Sequence, residues 1–239
     1  MEYSNIGEKI KLLTGSGMWH TREAEGLPSV HLSDGPHGLR KQEEKERQNN
    51  VSLVSTCYPT ASALACSWDV TAAERLGRAV AKEAWNADVA VLLGPGINMK
   101  RSPLCGRNFE YFSEDPFLAG RLGAAYVSAA QGENVAVSLK HFAANNQETN
   151  RQTSNSEIDE RALREIYLSA FEYVVKTARP ATVMASYNRL NGYYACENRH
   201  LLTEILREEW GFDGVVISDW GACADLAKAV KAGMDLEMP

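Results

Sequence analysis

A carboxylate and an indole stand side by side at Asp219-Trp220, directly after the apolar run Val215-Val216-Ile217-Ser218. A carboxylate at the C-terminal end of a buried strand can act as a nucleophile or an acid. An indole beside it can stack on a sugar ring, so the pair suits a glycosidase nucleophile. The same pattern also fits an aspartate that caps a helix after a strand.

Other polar groups recur where apolar runs stop. Asp34 closes the Val30 to Ser33 run, and Arg107 lies in the long loop after Leu93. Lys140 and His141 follow Val135 to Leu139, and Tyr187 follows Ala181 to Ala185. Each has a plain structural alternative: an Asx turn before Gly35-Pro36 for Asp34, an ion pair with Glu110 for Arg107, a strand-end lysine, a core histidine, a packing tyrosine. Five strand ends carrying polar or aromatic groups are harder to obtain from packing alone. In a barrel of parallel strands such ends meet on one rim, where these folds carry their chemistry. A carboxylate there accepts from sugar hydroxyls, and Arg107 and Lys140 donate charge-assisted hydrogen bonds. Nearby cations also favour the ionised carboxylate that a nucleophile requires.

The elements that must position these groups alternate. Thr71 with Glu74 reads as a capping box opening a helix. Val89 to Leu93 is a strand ended by Gly94-Pro95-Gly96, and Asp115-Pro116 starts a helix that Gly132 stops. Leu163, Ile166, Tyr167, Ala170, Phe171, Val174 and Val175 form one helical stripe, ended at Pro180. Leu201, Leu202, Ile205 and Leu206 form another, ended at Gly211, and a last strand covers Met234 to Glu237. The charged run Lys41 to Asn50 reads as a mobile surface loop. Strands alternating with helices imply a parallel sheet in an α/β fold. About six strands are legible where a closed (β/α) barrel has eight. With Pro239 directly after a strand, the expectation is a TIM-type barrel that is incomplete or truncated at its C-terminus. A doubly wound sheet is the alternative, but its GxGxxG turn is absent.

Bulk properties narrow the function classes. The chain has 239 residues, is 44% hydrophobic and carries a formal charge of −6. That charge argues against general nucleic-acid or anionic-membrane binding. No apolar run approaches the roughly 18 residues of a membrane span. No cationic segment followed by an apolar run opens the chain, so a cytoplasmic protein is expected. Cys57, Cys66, Cys105, Cys196 and Cys223 have no CxxC spacing and read as reduced thiols. No HExxH-type spacing appears, and neither a metal nor a cofactor is expected.

The motifs Ser33-Asp34-Gly35-Pro36-His37-Gly38, Leu93-Gly94-Pro95-Gly96, Gly106-Arg107-Asn108-Phe109-Glu110, Lys140-His141-Phe142, Ser186-Tyr187-Asn188 and Ser218-Asp219-Trp220 occur in order along the chain. In them, and from Glu8-Lys9-Ile10 and Trp19-His20-Thr21 to Gly233-Met234-Asp235-Leu236-Glu237-Met238-Pro239, the sequence resembles the N-terminal barrel domain of glycoside hydrolase family 3, the large β-glucosidase family. The resemblance implies a retaining hydrolase of terminal β-D-glucosyl residues, with residues 1–239 as its catalytic barrel. It implies Asp219 as nucleophile. Asp34, Arg107, Lys140, His141 and Tyr187 would hold the terminal sugar, with Met184 in the same pocket. Trp220 would form a wall on the leaving-group side.

The partner implied is a small β-glucoside or oligosaccharide. In two-domain members the general acid/base comes from a second, C-terminal α/β domain, and the sequence up to Pro239 does not include one. Glu110 reads as a partner for Arg107 or a nearby cation, and Glu148 as a loop residue. A single-domain branch, the N-acetylglucosaminidases, carries a histidine with a carboxylate after the Lys-His-Phe motif. Residues 143–151 contain neither a histidine nor a glycine-rich turn, which favours the two-domain glucosidase branch. The alternatives are a sugar-binding barrel or inactive fragment without turnover, or a related β-xylosidase or β-N-acetylglucosaminidase.

Overall fold

The computed structural model describes residues 6–42 and 51–239. Eight strands occur in this part: β1 Leu32–Asp34, β2 Val91–Leu93, β3 Ala136–Phe142, β4 Asn155–Ser156, β5 Thr182–Ala185, β6 Arg189–Leu190, β7 Tyr193–Tyr194 and β8 Val215–Ser218. Five of them make one parallel sheet in the order β1-β2-β3-β5-β8. Side chains along these strands alternate between two cores, as the two-residue period of a strand requires. Val91, Leu93, Met184 and Ile217 point into the barrel with Leu32 and Met238. Leu92, Val183 and Val216 point outward into the larger core under the helices. Burial on both faces explains why the strands read as continuous apolar runs.

The helices that cover the sheet begin on aspartates. Asp69 caps Val70–Asn86 by accepting from the Thr71 amide, and Asp115 caps Pro116–Gln131 through the amides of Phe117 and Leu118. These two helices pack closely because Gly77 faces Tyr126, where a Cβ would lie 2.5 Å from the carbonyl oxygen.

The sheet closes into a ring without eight strands. Leu236 bridges Ile217, and Glu237 bridges Thr14. The Gly15 amide donates to Glu237 at 2.9 Å, and the Leu32 amide donates to the Trp19 carbonyl at 2.8 Å. Irregular backbone thus carries the ring from β8 round to β1. The described residues form an incomplete barrel of TIM type: five parallel strands where a complete one has eight.

Several expectations are corrected. Met234 to Glu237 is not a regular strand. Leu236 faces β8 and Glu237 faces the N-terminal segment, so neither ladder repeats. Asp69 rather than Thr71 caps its helix, because it offers a carboxylate to the Thr71 amide at 2.8 Å. The stripe from Leu163 to Val175 is broken. Leu163–Tyr167 forms a wide turn in which the Leu168 amide bonds Leu163, five residues back, before the helix Ser169–Ala178. The extra residue rotates Ile166 outward to 38% exposure. Strands β4, β6 and β7, too short to show a period, form a second sheet unforeseen in the sequence. Apart from Lys41 and Gln42, the charged run to Asn50 lies outside the described residues.

Candidate active site

The C-terminal ends of β1, β3, β5 and β8 and the loop after β2 surround one cavity of about 370 Å³. Asp34, Arg107, Lys140, Met184, Tyr187, Asp219 and Trp220 all line it. His141 does not. It is wholly buried behind the wall, with Nε2 3.7 Å from Oδ2 of Asp219.

On one side the charges are paired. The Lys140 ammonium donates to Oδ1 of Asp34 at 2.9 Å and lies 3.7 Å from Glu110, while Arg107 donates to Glu110. Burial pushes the Asp34 carboxyl up, but the charge and hydrogen bond of Lys140, the Gly35 amide and Arg107 outweigh it and hold the pKa below its ordinary value. For Lys140 burial favours the neutral amine, yet Asp34 and Glu110 keep its pKa raised.

On the other side pairing is incomplete. Oδ1 of Asp219 accepts the Trp220 amide at 2.8 Å. Oδ2 has no hydrogen-bond partner and is buried, with Arg107 3.8 Å away. Burial raises the Asp219 pKa, and the pull of Arg107, Lys140, the Trp220 amide and Tyr187 does not fully reverse that. The Tyr187 hydroxyl donates to the Trp220 carbonyl at 2.9 Å, fixing the turn that carries the carboxylate. The result is one carboxylate that lines a polar cavity, keeps one buried oxygen without a hydrogen bond, and is held beside cations.

Comparison with known proteins bears on this arrangement. The model of the glycosyl hydrolase family 3 N-terminal domain matches residues 36–239. The chain belongs to glycosyl hydrolase family 3. It is 54% identical to thermostable β-glucosidase B of Acetivibrio thermocellus over 98% of its length and 32% of that relative. It is 50% identical to an exo-α-(1→6)-L-arabinopyranosidase of Bifidobacterium longum, with the same coverage of both proteins. Among solved structures, β-glucosidase 3B of Thermotoga neapolitana in complex with glucose superposes with a TM-score of 0.93 at 42% identity, covering 98% of this chain and 35% of that one. The family-3 chain therefore spans about a third of the length of these relatives.

Sequence reasoning missed part of the family-3 cavity. Trp19, Leu93, Phe109, Glu110 and Arg151 also line it. Trp19 packs on Trp220 with ring centroids 5.2 Å apart, and Trp220 donates from its indole to the Met18 carbonyl at 2.7 Å. Arg151 lies 4.2 Å from the centre of the Tyr187 ring and is held at 2.7 Å by Glu148. Leu93 ends β2, but the others reach in from outside the strands, so no strand-end pattern marks them. Their only signal was membership of stretches already singled out: Trp19-His20-Thr21, Leu93-Gly94-Pro95-Gly96, the Gly106–Glu110 motif and residues 143–151. Glu110, read as a partner for Arg107 or a nearby cation, pairs with Arg107, and Glu148, read as a loop residue, pairs with Arg151. Among the described residues, no group of three His, Cys, Asp or Glu is placed to hold a metal ion. No helix among them is long and apolar enough to cross a membrane.

Proposed function

We propose that this chain is the nucleophile-bearing barrel of a retaining β-glucosidase that removes terminal non-reducing glucose. The carrying observation is the pairing of the cavity's carboxylates. Asp34 and Glu110 accept hydrogen bonds from Lys140 and Arg107, whereas Oδ2 of Asp219 is buried and accepts none. The names of the relatives support glucoside as substrate.

In this reading Oδ2 of Asp219 attacks the anomeric carbon as the bond to the leaving oxygen breaks. Arg107 and Lys140 keep enough of the buried carboxyl ionised to act. Asp34, Lys140, Arg107 and Tyr187 bind the terminal sugar's hydroxyls, with His141 behind them, Met184 packs beneath the ring, and Trp220 walls the leaving-group side. Water then releases glucose with net retention. The proton for the leaving group must come from a second carboxyl about 5–5.5 Å from the nucleophile. The engaged states of Asp34 and Glu110 leave neither free to donate, so we assign the acid/base to the part of the polypeptide that the relatives carry beyond the matched third.

A 2-deoxy-2-fluoro β-glucoside with a dinitrophenyl leaving group tests the reading, since that group departs without protonation. Peptide mapping of a folded sample should find the sugar on Asp219. An adduct on another residue, or inversion of the anomeric centre during turnover by the longer polypeptide, would refute it. The arabinopyranosidase relative supports a second substrate, a terminal α-L-arabinopyranoside. Comparing kcat/KM for the two aryl glycosides decides between them.

A further inference from the structure

The cavity leaves one buried group unaccounted for. Tyr111 does not line it, yet its hydroxyl lies 3.0 Å from Nδ1 of His141, and both residues are wholly buried. The Tyr111 ring and the His141 backbone are both held in place. Gly96 bridges the backbones of Tyr111 and Lys140, and a Cβ there would lie 2.9 Å from Cδ1 of the Tyr111 ring. The Asn98 amide brackets the backbone of His141, accepting from its N–H at 2.7 Å and donating to its carbonyl at 2.8 Å.

We propose that Tyr111 is a positioning residue that fixes His141 as the Nε2–H tautomer and aims that N–H at the Asp219 carboxylate. The functional half of this proposal rests on the reading of Asp219 as nucleophile. Two proton arrangements compete. In the first, the phenol donates to Nδ1 and the ring proton sits on Nε2, 3.7 Å from Oδ2 of Asp219. Nε2 and Oδ2 are both buried and without hydrogen-bond partners, so a donor faces an acceptor. That span is longer than a hydrogen bond, and a small approach of either group closes it.

In the second arrangement, Nδ1–H donates to the phenol oxygen. The phenol proton is then left without an acceptor in a buried place, and a bare Nε2 lone pair faces a carboxylate. Folded proteins rarely leave buried donors unpaired. The charged state of the ring does not alter this choice. Burial, with the positive charges of Arg107, Lys140 and Arg151, holds the imidazole pKa well below its ordinary value, and burial keeps the phenol protonated. With Asp219, these are the titratable groups that face the ring. The N–H of a neutral histidine is placed by whatever its other nitrogen accepts.

Long-range proton–nitrogen spectra of the complete polypeptide, labelled with ¹⁵N in its histidine rings, test the tautomer directly, and His141→Gln assigns the signal. The expected result is a bare Nδ1 and a protonated Nε2, with Tyr111→Phe shifting His141 toward a mixture. A protonated Nδ1 in the wild type would overturn the proposal, as would an unchanged tautomer in Tyr111→Phe. Should that variant not fold, the wild-type spectrum alone decides. Tyr111→Phe should also slow labelling of Asp219 by the fluoro-sugar about tenfold, the scale of one lost hydrogen bond. It should add no loss in the His141→Gln background; an equal loss in both backgrounds would mean that Tyr111 acts through packing. Absence of labelling in the wild type would instead remove the nucleophile reading and leave the tautomer to the spectrum.

Discussion

Asp34 and Asp219 both stand at the C-terminal ends of parallel strands and line the same cavity, but their neighbours treat them in opposite ways. Asp34 has an ammonium at 2.9 Å and a pKa held down. Asp219 has a guanidinium at 3.8 Å, a bare buried oxygen and a pKa held up. Asp34 is thus stabilised as a fixed acceptor. Asp219 is left with unspent capacity to form a bond. Buried polar groups are usually satisfied, and a specific exception in a cavity points to chemistry.

The contrast can be broken most sharply at Asp219. Asp219→Asn keeps the acceptor for the Trp220 amide but removes the proposed nucleophile. Turnover by the longer polypeptide should fall by at least about 10⁴-fold, with no fluoro-sugar adduct. A loss under tenfold, read by steady-state kinetics, would show that another group attacks.

On the paired side the largest effect should come from Lys140→Met. It strands Glu110, whose side chain is 5% exposed, beside Arg107 alone and takes the close partner from Asp34. Removing one member of a buried ion pair costs about 3–5 kcal/mol. Urea unfolding should show a loss near the low end, because 32% of the Asp34 side chain is exposed.

The two aspartates should also pull stability in opposite directions with pH. For Asp34 the folded pKa lies below the ordinary 3.8, so its contribution is fully present above that value and is lost as pH falls through the folded pKa. For Asp219 the folded pKa lies above 3.8, so its penalty is fully present above the raised value and fades as pH falls toward 3.8. At pH 7, Asp34→Asn should therefore destabilise and Asp219→Asn should stabilise, each by roughly 1 kcal/mol, the scale of one buried polar group. Thermal melts of both variants at pH 7 and pH 4 check the signs, and the difference between them should shrink at the lower pH.

Trp19→Ala should have the smallest effect. It removes the ring packed against Trp220, an interaction worth about 0.5–1.5 kcal/mol. KM for a disaccharide should rise several-fold, while labelling of Asp219 by the fluoro-sugar should stay within about twofold.

The legible parts of the molecule were those where one residue type meets one need. Val215–Ser218 was found with its bounds, because a buried parallel strand needs apolar side chains on both faces. Asp115-Pro116 was found because carboxylate and proline each suit a helix start. Asp69 and Thr71 are both good caps two residues apart, and only geometry chose between them. The wide turn at Leu163–Tyr167 left no mark, since it changes hydrogen bonding by one residue without changing composition. Strand-end logic brought out the candidate residues on the rim. It grouped His141, behind the wall, with Lys140, on it, although the two-residue period of β3 turns adjacent side chains to opposite faces. Trp19 and Arg151 enter from loops, where no period operates.

The ring closure at Thr14 and Glu237 has a consequence for how the protein is made. The Trp220 indole bonds the Met18 carbonyl across 202 residues of sequence. At the usual pace of about 5–20 residues per second, the segment that seals the barrel leaves the ribosome tens of seconds before its partners exist. Over that interval Trp19 has nothing to pack against, and β1 is a strand with an open edge. Such waiting edges recruit other chains. A chaperone that shields the first 40 residues should therefore raise the yield of native protein more than one that binds later segments.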